Sequence, residues 1–324
     1  MPMKSEMIKN KIFLQNFVLL LGVLFANISA GYAQKSIPFQ IRTFKTSSKT
    51  AMLQEKHLYV FNGSTSVGLT PDHLGFHRIV APPYFAFPFK ANLQLFGQEV
   101  KVNRFDWYPS ECVFEGEKIK GVETTMQVVP IKSKRGVLVN VTLNNLNEEE
   151  ITVPLGWNFS GYPGKSMNWY FGAENHSLST KPREVPTTVE TDGNTLSMLR
   201  LETRLTSSLF GAEVNVENNA IGGDIKLEKG ETKTLSLFVL VDDKDKLSIS
   251  DAQSYAAKQE SLIEETRTYW TALIDSIGER LPKLTGGTPK LQAFYNTGLI
   301  SFLSTRFEVP EFLFNPYYAE AGVD

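Results

Sequence analysis

The stretch GVLVNVTLNN, residues 136–145, carries a hydrophobic side chain at every second position. Val137, Val139, Val141 and Leu143 share one face of an extended strand, because successive side chains of a strand point to opposite faces. Such a period is typical of a strand that packs one face on a core. The stretch therefore predicts one strand of an antiparallel sheet.

Similar patterns recur on both sides of this stretch, from about residue 37 to residue 245. ETKTLSLFVLVDD, residues 231–243, has the same period, and VETTMQVVPI and LSMLRLETRL are further β-type runs. No long helical period interrupts them, which favours an antiparallel β-sandwich over 34–249 and not a doubly wound sheet. The turn signals between the runs are Asn62-Gly63, Asp192-Gly193-Asn194, Gly222-Gly223 and Lys229-Gly230.

The period changes to a helical one at Ser250. Ser250 and Gln253 fit a capping box, which predicts a helix from Ser250 to about Ile277. Glu264 and Glu265 belong to its outer face. The apolar stripe consists of Tyr255, Leu262, Ile263, Tyr269, Trp270, Leu273 and Ile274. With the linker LPKLTGGTP, this helix makes up a connecting segment over 250–287.

A second helix begins after Thr288, which is the predicted N-cap, with Pro289 at the first helical position. It is apolar over most of its surface and is expected to extend to about residue 306. Such a helix needs neighbours on several sides, and the sequence has one other clear helix to supply them. The imbalance predicts further helices, and hence a helical domain over 288–324 that is incomplete. The apolar positions are Leu291, Phe294, Tyr295, Gly298, Leu299, Phe302 and Leu303.

The N-terminus has the pattern of a secretory signal peptide over residues 1–33. Three lysines precede the apolar run FVLLLGVLFANI, and Gly31 and Ala33 stand before an expected cut at Gln34. Cleavage predicts a periplasmic or secreted protein without a stable membrane span; an uncleaved anchor is the alternative. The net charge of −2 becomes −4 when three lysines and one glutamate are removed, which does not indicate a nucleic-acid partner. The single cysteine, Cys112, excludes an internal disulfide and is expected to be buried.

The order of elements along the chain resembles that of the six-hairpin glycosidases. A β-sandwich comes first, and a helix with Ala252, Tyr255, Ala256 and Trp270 follows it. Leu281-Pro282 and the apolar helix 291–303 come next, and Tyr317-Tyr318 follow that helix. In that clan an N-terminal super-sandwich precedes an (α/α)6 toroid. The resemblance implies a mainly β chain: an antiparallel super-sandwich, a linker helix and the first toroid helix. It also implies an N-terminal portion of a glycoside hydrolase acting on an oligo- or polysaccharide. Trehalases, α-rhamnosidases, glucosidases and disaccharide phosphorylases share this layout.

The resemblance also implies a sugar-binding role for residues near the C-terminus. Tyr317, Tyr318 and Glu320 would lie at the sugar-binding face of the toroid. Glycoside hydrolysis needs two carboxylates, and Glu320 and Asp324 are weak candidates, because Gly322 interrupts a helix that would bring them together. In the clan the catalytic carboxylates come from later hairpins. The chain is therefore expected to be inactive alone and to need a downstream helical polypeptide as partner.

A second aromatic run, WNFSGYPGKSMNWYFG, covers residues 157–172. Aromatic rings stack on sugar faces, so Trp157, Tyr162, Trp169 and Tyr170 are candidate carbohydrate-binding residues. The alternative is a loop whose aromatic residues pack on its own sandwich.

No metal site or cofactor is predicted. His73 and His77 have the spacing of metal ligands, but Gly75 lies between them and no glutamate follows His73. The basic run KSKRG at 132–136 indicates a solvated hairpin turn, with a site for a polyanion as the alternative. Two other classes of function stay open: a carbohydrate-binding or accessory sandwich, and a surface module without sugar function.

Overall fold

The computed structural model describes residues 46–49, 58–70, 72–165, 185–248, 251–278, 280, 284, 286–310 and 316–318. By its internal contacts the chain divides into two units. One comprises Phe39–Leu281 and Ala293–Asp324, and the other comprises Met1–Pro38 and Pro282–Gln292. The predicted signal peptide lies outside the described residues. No helix in the described ranges is long and apolar enough to cross a membrane.

In the described part of the larger unit, two antiparallel sheets of nine strands each make up most of the structure. The first sheet, sheet A, has the spatial order β1 (Thr46–Lys49), β7 (Val102–Tyr108), β8 (Glu111–Gly116), β9 (Val122–Ile131), β10 (Gly136–Asn145), β18 (Thr232–Asp243), β15 (Thr203–Phe210), β14 (Thr195–Arg200) and β13 (Thr188–Asp192). The second, sheet B, has the order β16 (Asn215–Glu217), β17 (Ala220–Leu227), β11 (Ile151–Ser160), β5 (Tyr84–Leu95), β4 (Gly75–Ala81), β3 (Ser66–Leu69) and β2 (Tyr59–Phe61), with β6 (Gln98–Glu99) and β12 (Pro163–Lys165) paired to β5. The mainly β antiparallel sandwich that the sequence predicts is confirmed.

The core lies between the two sheets and contains the residues that the period of two selected. Val137, Val139 and Val141 in β10 face Val239, Leu237 and Leu235 in β18, and all six side chains are buried in one cluster. Residues of sheet B, among them Phe76 and Leu93, complete this cluster.

The other face of the same strands is also buried at one end. The period of two does not indicate this second buried face. Leu138, Phe238 and Leu240 stand at the alternate positions and are at most 1% exposed. They pack with Ala252 and Leu262 from two helices that cover this part of sheet A. Farther along the strands, Thr142 and Thr234 pair by a hydroxyl–hydroxyl hydrogen bond of 2.9 Å in a solvent-exposed position.

The predicted helix 250–277 is two helices, α1 (Asp251–Ala256) and α2 (Gln259–Gly278). The Asp251 carboxylate reaches back from the first residue of α1 and accepts a hydrogen bond from the Ser248 amide at 2.7 Å. Ser250 lies outside the described residues, so the predicted capping box stays a prediction. The break between α1 and α2 allows Ala252 and Leu262 to reach the same sheet face and brings Gln259 within 2.8 Å of Ser236.

Helix α3 (Pro289–Leu303) is shorter than predicted, but its start is confirmed, since the Leu291 amide donates to the Thr288 hydroxyl at 3.3 Å. Ile300 and Leu303 are buried with Trp270 of α2. Phe294 and Phe302 are 77% and 57% exposed. Beyond α3, β19 (Arg306–Phe307) pairs with β20 (Tyr317–Tyr318). Whether α3 opens a toroid stays a prediction.

One of the predicted turns is wrong. Gly222 and Gly223 lie inside β17, opposite Gly156 and Leu155. A side chain at Gly222 would meet the Leu155 carbonyl at 2.4 Å, so the glycine serves a close approach of strands and not a turn. Lys229-Gly230 and Asp192-Gly193-Asn194 are turns, as predicted.

We expect Trp270 to hold α2 on the sandwich. Replacing Trp270 with alanine should lower the free energy of unfolding by about 3–5 kcal/mol, because it leaves a cavity and removes the indole donor to the Phe61 carbonyl. Phe294→Ala, which removes a ring that is 77% exposed on α3, is the control and should change it by less than about 0.5 kcal/mol. Urea denaturation measures both. Equal losses in the two variants would contradict this account.

Candidate functional site

The residues predicted to bind sugar are distributed over several parts of the chain. The prediction that Trp157 binds sugar is wrong. Trp157 lies in β11 and is 0% exposed, and its ring centroid is 6.2 Å from that of Phe76. It therefore cannot contact a sugar at the surface. The open alternative, packing on its own sandwich, holds for this residue. Trp169, Tyr170, Glu320 and Asp324 lie outside the described residues.

The backbone of Tyr317 and Tyr318 forms β20. Phe307 pairs with Tyr317, and Arg306 pairs with Tyr318. The Phe307 ring packs edge-on against Phe61 of β2, with ring centroids 4.9 Å apart. The short hairpin is therefore fixed to the sandwich at the point where α3 ends.

Four side chains meet beside this hairpin, and we refer to Lys132, Tyr269, Arg306 and Glu308 as the junction cluster. The Lys132 ammonium donates to one oxygen of Glu308 at 3.0 Å, and the Arg306 guanidinium pairs with the other oxygen. The same ammonium lies 4.3 Å from the centre of the Tyr269 ring. The charged side chains are partly accessible, at 23% for Lys132, 18% for Arg306 and 33% for Glu308.

The junction cluster holds Glu308 in its ionised form. Burial by itself would raise the pKa of Glu308, but hydrogen bonds from Lys132 and then Arg306 outweigh it and lower the pKa. Burial also disfavours the charged form of Arg306 and by itself would lower its pKa. The pairing with Glu308 outweighs burial and raises the pKa of Arg306. The cluster therefore combines a carboxylate acceptor with two cationic donors.

A tight turn in sheet B makes room for this arrangement. Gly63 has φ = +82°, and a Cβ there would lie 2.5 Å from the Tyr269 hydroxyl, so glycine fits both the conformation and the space. The Gly63 carbonyl accepts a hydrogen bond from the Glu308 amide at 2.6 Å. Asn62 stabilises the turn, since its side-chain oxygen accepts from the Thr65 amide at 2.9 Å. The turn predicted from Asn62-Gly63 is thus one wall of the site.

A second charged cluster lies where β18 and β12 end and β5 begins. Lys165 pairs with Asp243 at 2.9 Å, and Arg135 pairs with Asp242 at 3.5 Å. Burial, followed by a hydrogen bond to Asp243, raises the pKa of the nearly inaccessible Tyr84. Burial opposes ionisation of Asp243, but hydrogen bonds from Lys165 and Tyr84 lower its pKa. These groups satisfy one another, which is typical of a structural network.

The turn 132–135 contributes a side chain to each of the two clusters. The expectation that this turn is merely solvated is therefore wrong. It is the hairpin turn between β9 and β10, as predicted. However, Lys132 pairs with Glu308 and Arg135 with Asp242, and these carboxylates are more than 100 positions away in sequence. No local pattern in the sequence indicates these partners. A Lys132–Glu308 contact is visible only when strand register and the exit of α3 are both known.

Other candidate chemistry lacks a site in the described ranges. Those residues contain no group of three histidine, cysteine or acidic side chains suited to a metal ion. His73 donates through Nδ1 to Asp72 at 2.7 Å. Cys112 is buried, as predicted, and burial raises the pKa of its thiol.

Comparisons with known proteins identify distant structural similarity. Protein-family models give no match to the sequence, and neither do curated proteins. A kojibiose phosphorylase from the human microbiome is similar in structure, with a TM-score of 0.46 and 10% identity over 84% of this chain and 43% of that chain. A polysaccharide lyase has a TM-score of 0.30 and 11% identity over 58% of this chain and 34% of that chain.

A galactose mutarotase-like protein from Lactobacillus casei ATCC 334 has a TM-score of 0.35 and 11% identity over 58% of this chain and 100% of that chain. This chain therefore spans less than half the length of the phosphorylase and of the lyase. At these identities and TM-scores the similarities carry no argument for an activity. The sandwich architecture rests on the strand pairing of the chain itself.

The ionised state of Glu308 predicts a pH dependence of stability. Because its folded pKa is lowered, its contribution is complete above the ordinary value of 4.5 and is lost as the pH falls through the folded value. Glu308→Gln should therefore cost about 1 kcal/mol at about pH 7 and much less at about pH 3. Urea denaturation at both pH values measures the difference. The exposed Glu150→Gln is the control, and a cost of Glu308→Gln that is independent of pH would refute the role of its charge.

Proposed function

We propose that this chain is the N-terminal portion of an exported glycoside hydrolase acting on an oligo- or polysaccharide. In this proposal the sandwich and the exit of α3 form one side of a saccharide-binding site. The export part rests on the signal-peptide pattern of residues 1–33. The hydrolase part rests on the resemblance to six-hairpin glycosidases, and the saccharide-binding part rests on the junction cluster.

The observation that carries the proposal is the pairing of β20 with β19. It attaches Tyr317 and Tyr318, the residues expected to bind sugar, directly to the strand that contains Arg306. Saccharide sites combine aromatic faces with a few fixed polar groups that bond hydroxyls. Lys132, Arg306 and Glu308 supply such groups, because they are partly accessible and are held in place by one another.

The outer face of α3 supports the proposal of a larger helical domain. Phe294 and Phe302 are large apolar side chains that are mostly exposed. Both residues are well suited to packing against another helix, since burying them would remove apolar surface from water. The proposed occupant is a downstream helical polypeptide that completes the toroid.

The junction cluster suits binding better than hydrolysis. Hydrolysis of a glycosidic bond uses an acidic and an ionised carboxyl group on opposite sides of the bond. In the part of the cluster that the structure describes, Glu308 is the one carboxylate, and it is already paired. The chain is therefore expected to bind a sugar without turning it over. The presence of a single carboxylate in the described cluster also favours the alternative function, a non-catalytic carbohydrate-binding or accessory sandwich.

Activity assays on the 324-residue chain test the proposal. We expect no hydrolysis of aryl glycosides or oligosaccharides, and hydrolysis when the downstream helical polypeptide is added. Hydrolysis by the chain alone that is lost in Glu320→Gln or Asp324→Asn would contradict the proposal and would locate a complete site. Failure of the added polypeptide to produce activity, with saccharide binding intact, would favour the alternative.

Saccharide binding by calorimetry is the second test. Tyr317→Ala and Tyr318→Ala should each weaken binding by roughly tenfold, because each removes an aromatic face. Phe294→Ala is the matched control, since it removes an exposed ring on α3, outside the β19–β20 pair, and should leave binding unchanged. Equal binding by all three variants would exclude the tyrosine pair from the site.

A further inference from the structure

The junction cluster has more positive charge than its own carboxylate neutralises. Lys132 and Arg306 share Glu308, and in the described ranges neither cation pairs with another carboxylate. Tyr269 accepts Lys132 on its ring face but carries no compensating charge. The cluster therefore has an excess of one positive charge.

The cluster also has an excess of hydrogen-bond donors. An ammonium group has three donors and a guanidinium group has five, whereas a carboxylate offers two oxygens. Glu308 accepts one hydrogen bond from Lys132 and one from Arg306. The Arg306 guanidinium also interacts with the Tyr269 hydroxyl. The N–H groups of the two cations still outnumber the acceptor oxygens of Glu308 and Tyr269. A ligand that supplies acceptor oxygens would complete the arrangement.

The partial burial of these groups makes the charge effective. Lys132 is 23% and Arg306 is 18% exposed, so solvent and salt screen them less than fully exposed residues. Charge-assisted hydrogen bonds from guanidinium or ammonium groups to an anion are stronger than bonds to a neutral hydroxyl. A ligand with a negative charge would gain this difference, and a neutral sugar would not.

We infer that the junction cluster selects a saccharide that carries an anionic group, a uronate carboxylate or a sulfate ester, which Lys132 and Arg306 bind. This inference rests on the proposed function and specifies its substrate class. Glu308 competes with the ligand for the two cations and so limits the affinity. Arg306, next to the tyrosine pair through the β19–β20 pairing, provides the fork geometry that a planar carboxylate matches.

Calorimetry with matched saccharides tests the inference on the full chain. Oligogalacturonate and its methyl ester differ in charge but share a backbone, and a sulfated galactan oligosaccharide and its desulfated form make the second pair. We expect the better of the two anionic forms to bind about tenfold more tightly than its neutral counterpart. Its affinity should fall with added salt. The pair of saccharides with the larger ratio of anionic to neutral affinity identifies the anionic group.

Variants of the cluster separate a binding role from a structural one. Arg306→Gln and Lys132→Gln should each remove most of the preference for the anionic form. Glu308→Gln should strengthen binding of the anionic form, an increase that unfolding cannot produce. Lys246→Gln is the matched control, because it removes a lysine that is paired with Asp243 in the other cluster, and it should not change the ratio.

Different binding results would refute the inference and the proposed function. Equal binding of anionic and neutral forms would overturn the inference and leave saccharide recognition standing. Binding of no saccharide at all would overturn both. A preference that persists in Arg306→Gln and Lys132→Gln would place the anion elsewhere and would also overturn the inference.

Discussion

The structure depends on the burial of both faces of the central strands of sheet A. In β10 the odd-numbered side chains from Val137 to Leu143 enter the core between the sheets, while Leu138 on the opposite face packs under the helices. A sheet that is apolar on both faces needs a cover on each, since exposed Leu138, Phe238 and Leu240 would lose the free energy of burial. Helices α1 and α2 provide this cover.

The polar residues next to this apolar patch define the position of α2. A continuous set of hydrogen bonds crosses sheet A and reaches the helix at two places about two turns apart. Arg267 forks onto Glu111 at 2.7 and 3.0 Å, and Gln259 lies 2.8 Å from Ser236. Buried polar networks add less to stability than to a unique geometry, because any misalignment leaves groups unpaired. The members of this network are Arg267, Glu111, Gln127, Asn140, Ser236 and Gln259.

The sequence predicted features that follow from local patterns and missed those that follow from long-range contacts. The period of two found the core residues of β10 and β18, and the Thr288-Pro289 pair found the start of α3. The sequence places Trp157 in a candidate sugar-binding run, because composition does not distinguish a ring in a loop from one on the inner face of a strand. The break between α1 and α2 was also missed, since the apolar stripe continues through it. The partners of Lys132 depend on two elements that are far apart in sequence.

The register of β9 and β10 links the core to the candidate site. Val128 pairs with Val139 in this hairpin, so the turn that follows places Lys132 and Arg135 at fixed positions. A slip of one residue would turn the valines out of the core and would move Lys132 away from Glu308. The same hydrophobic alternation that specifies the sandwich thus specifies the position of a charge beside the exit of α3. The site belongs to the fold through this turn, because the β9–β10 turn supplies Lys132 and β19, the strand that follows α3, supplies Arg306.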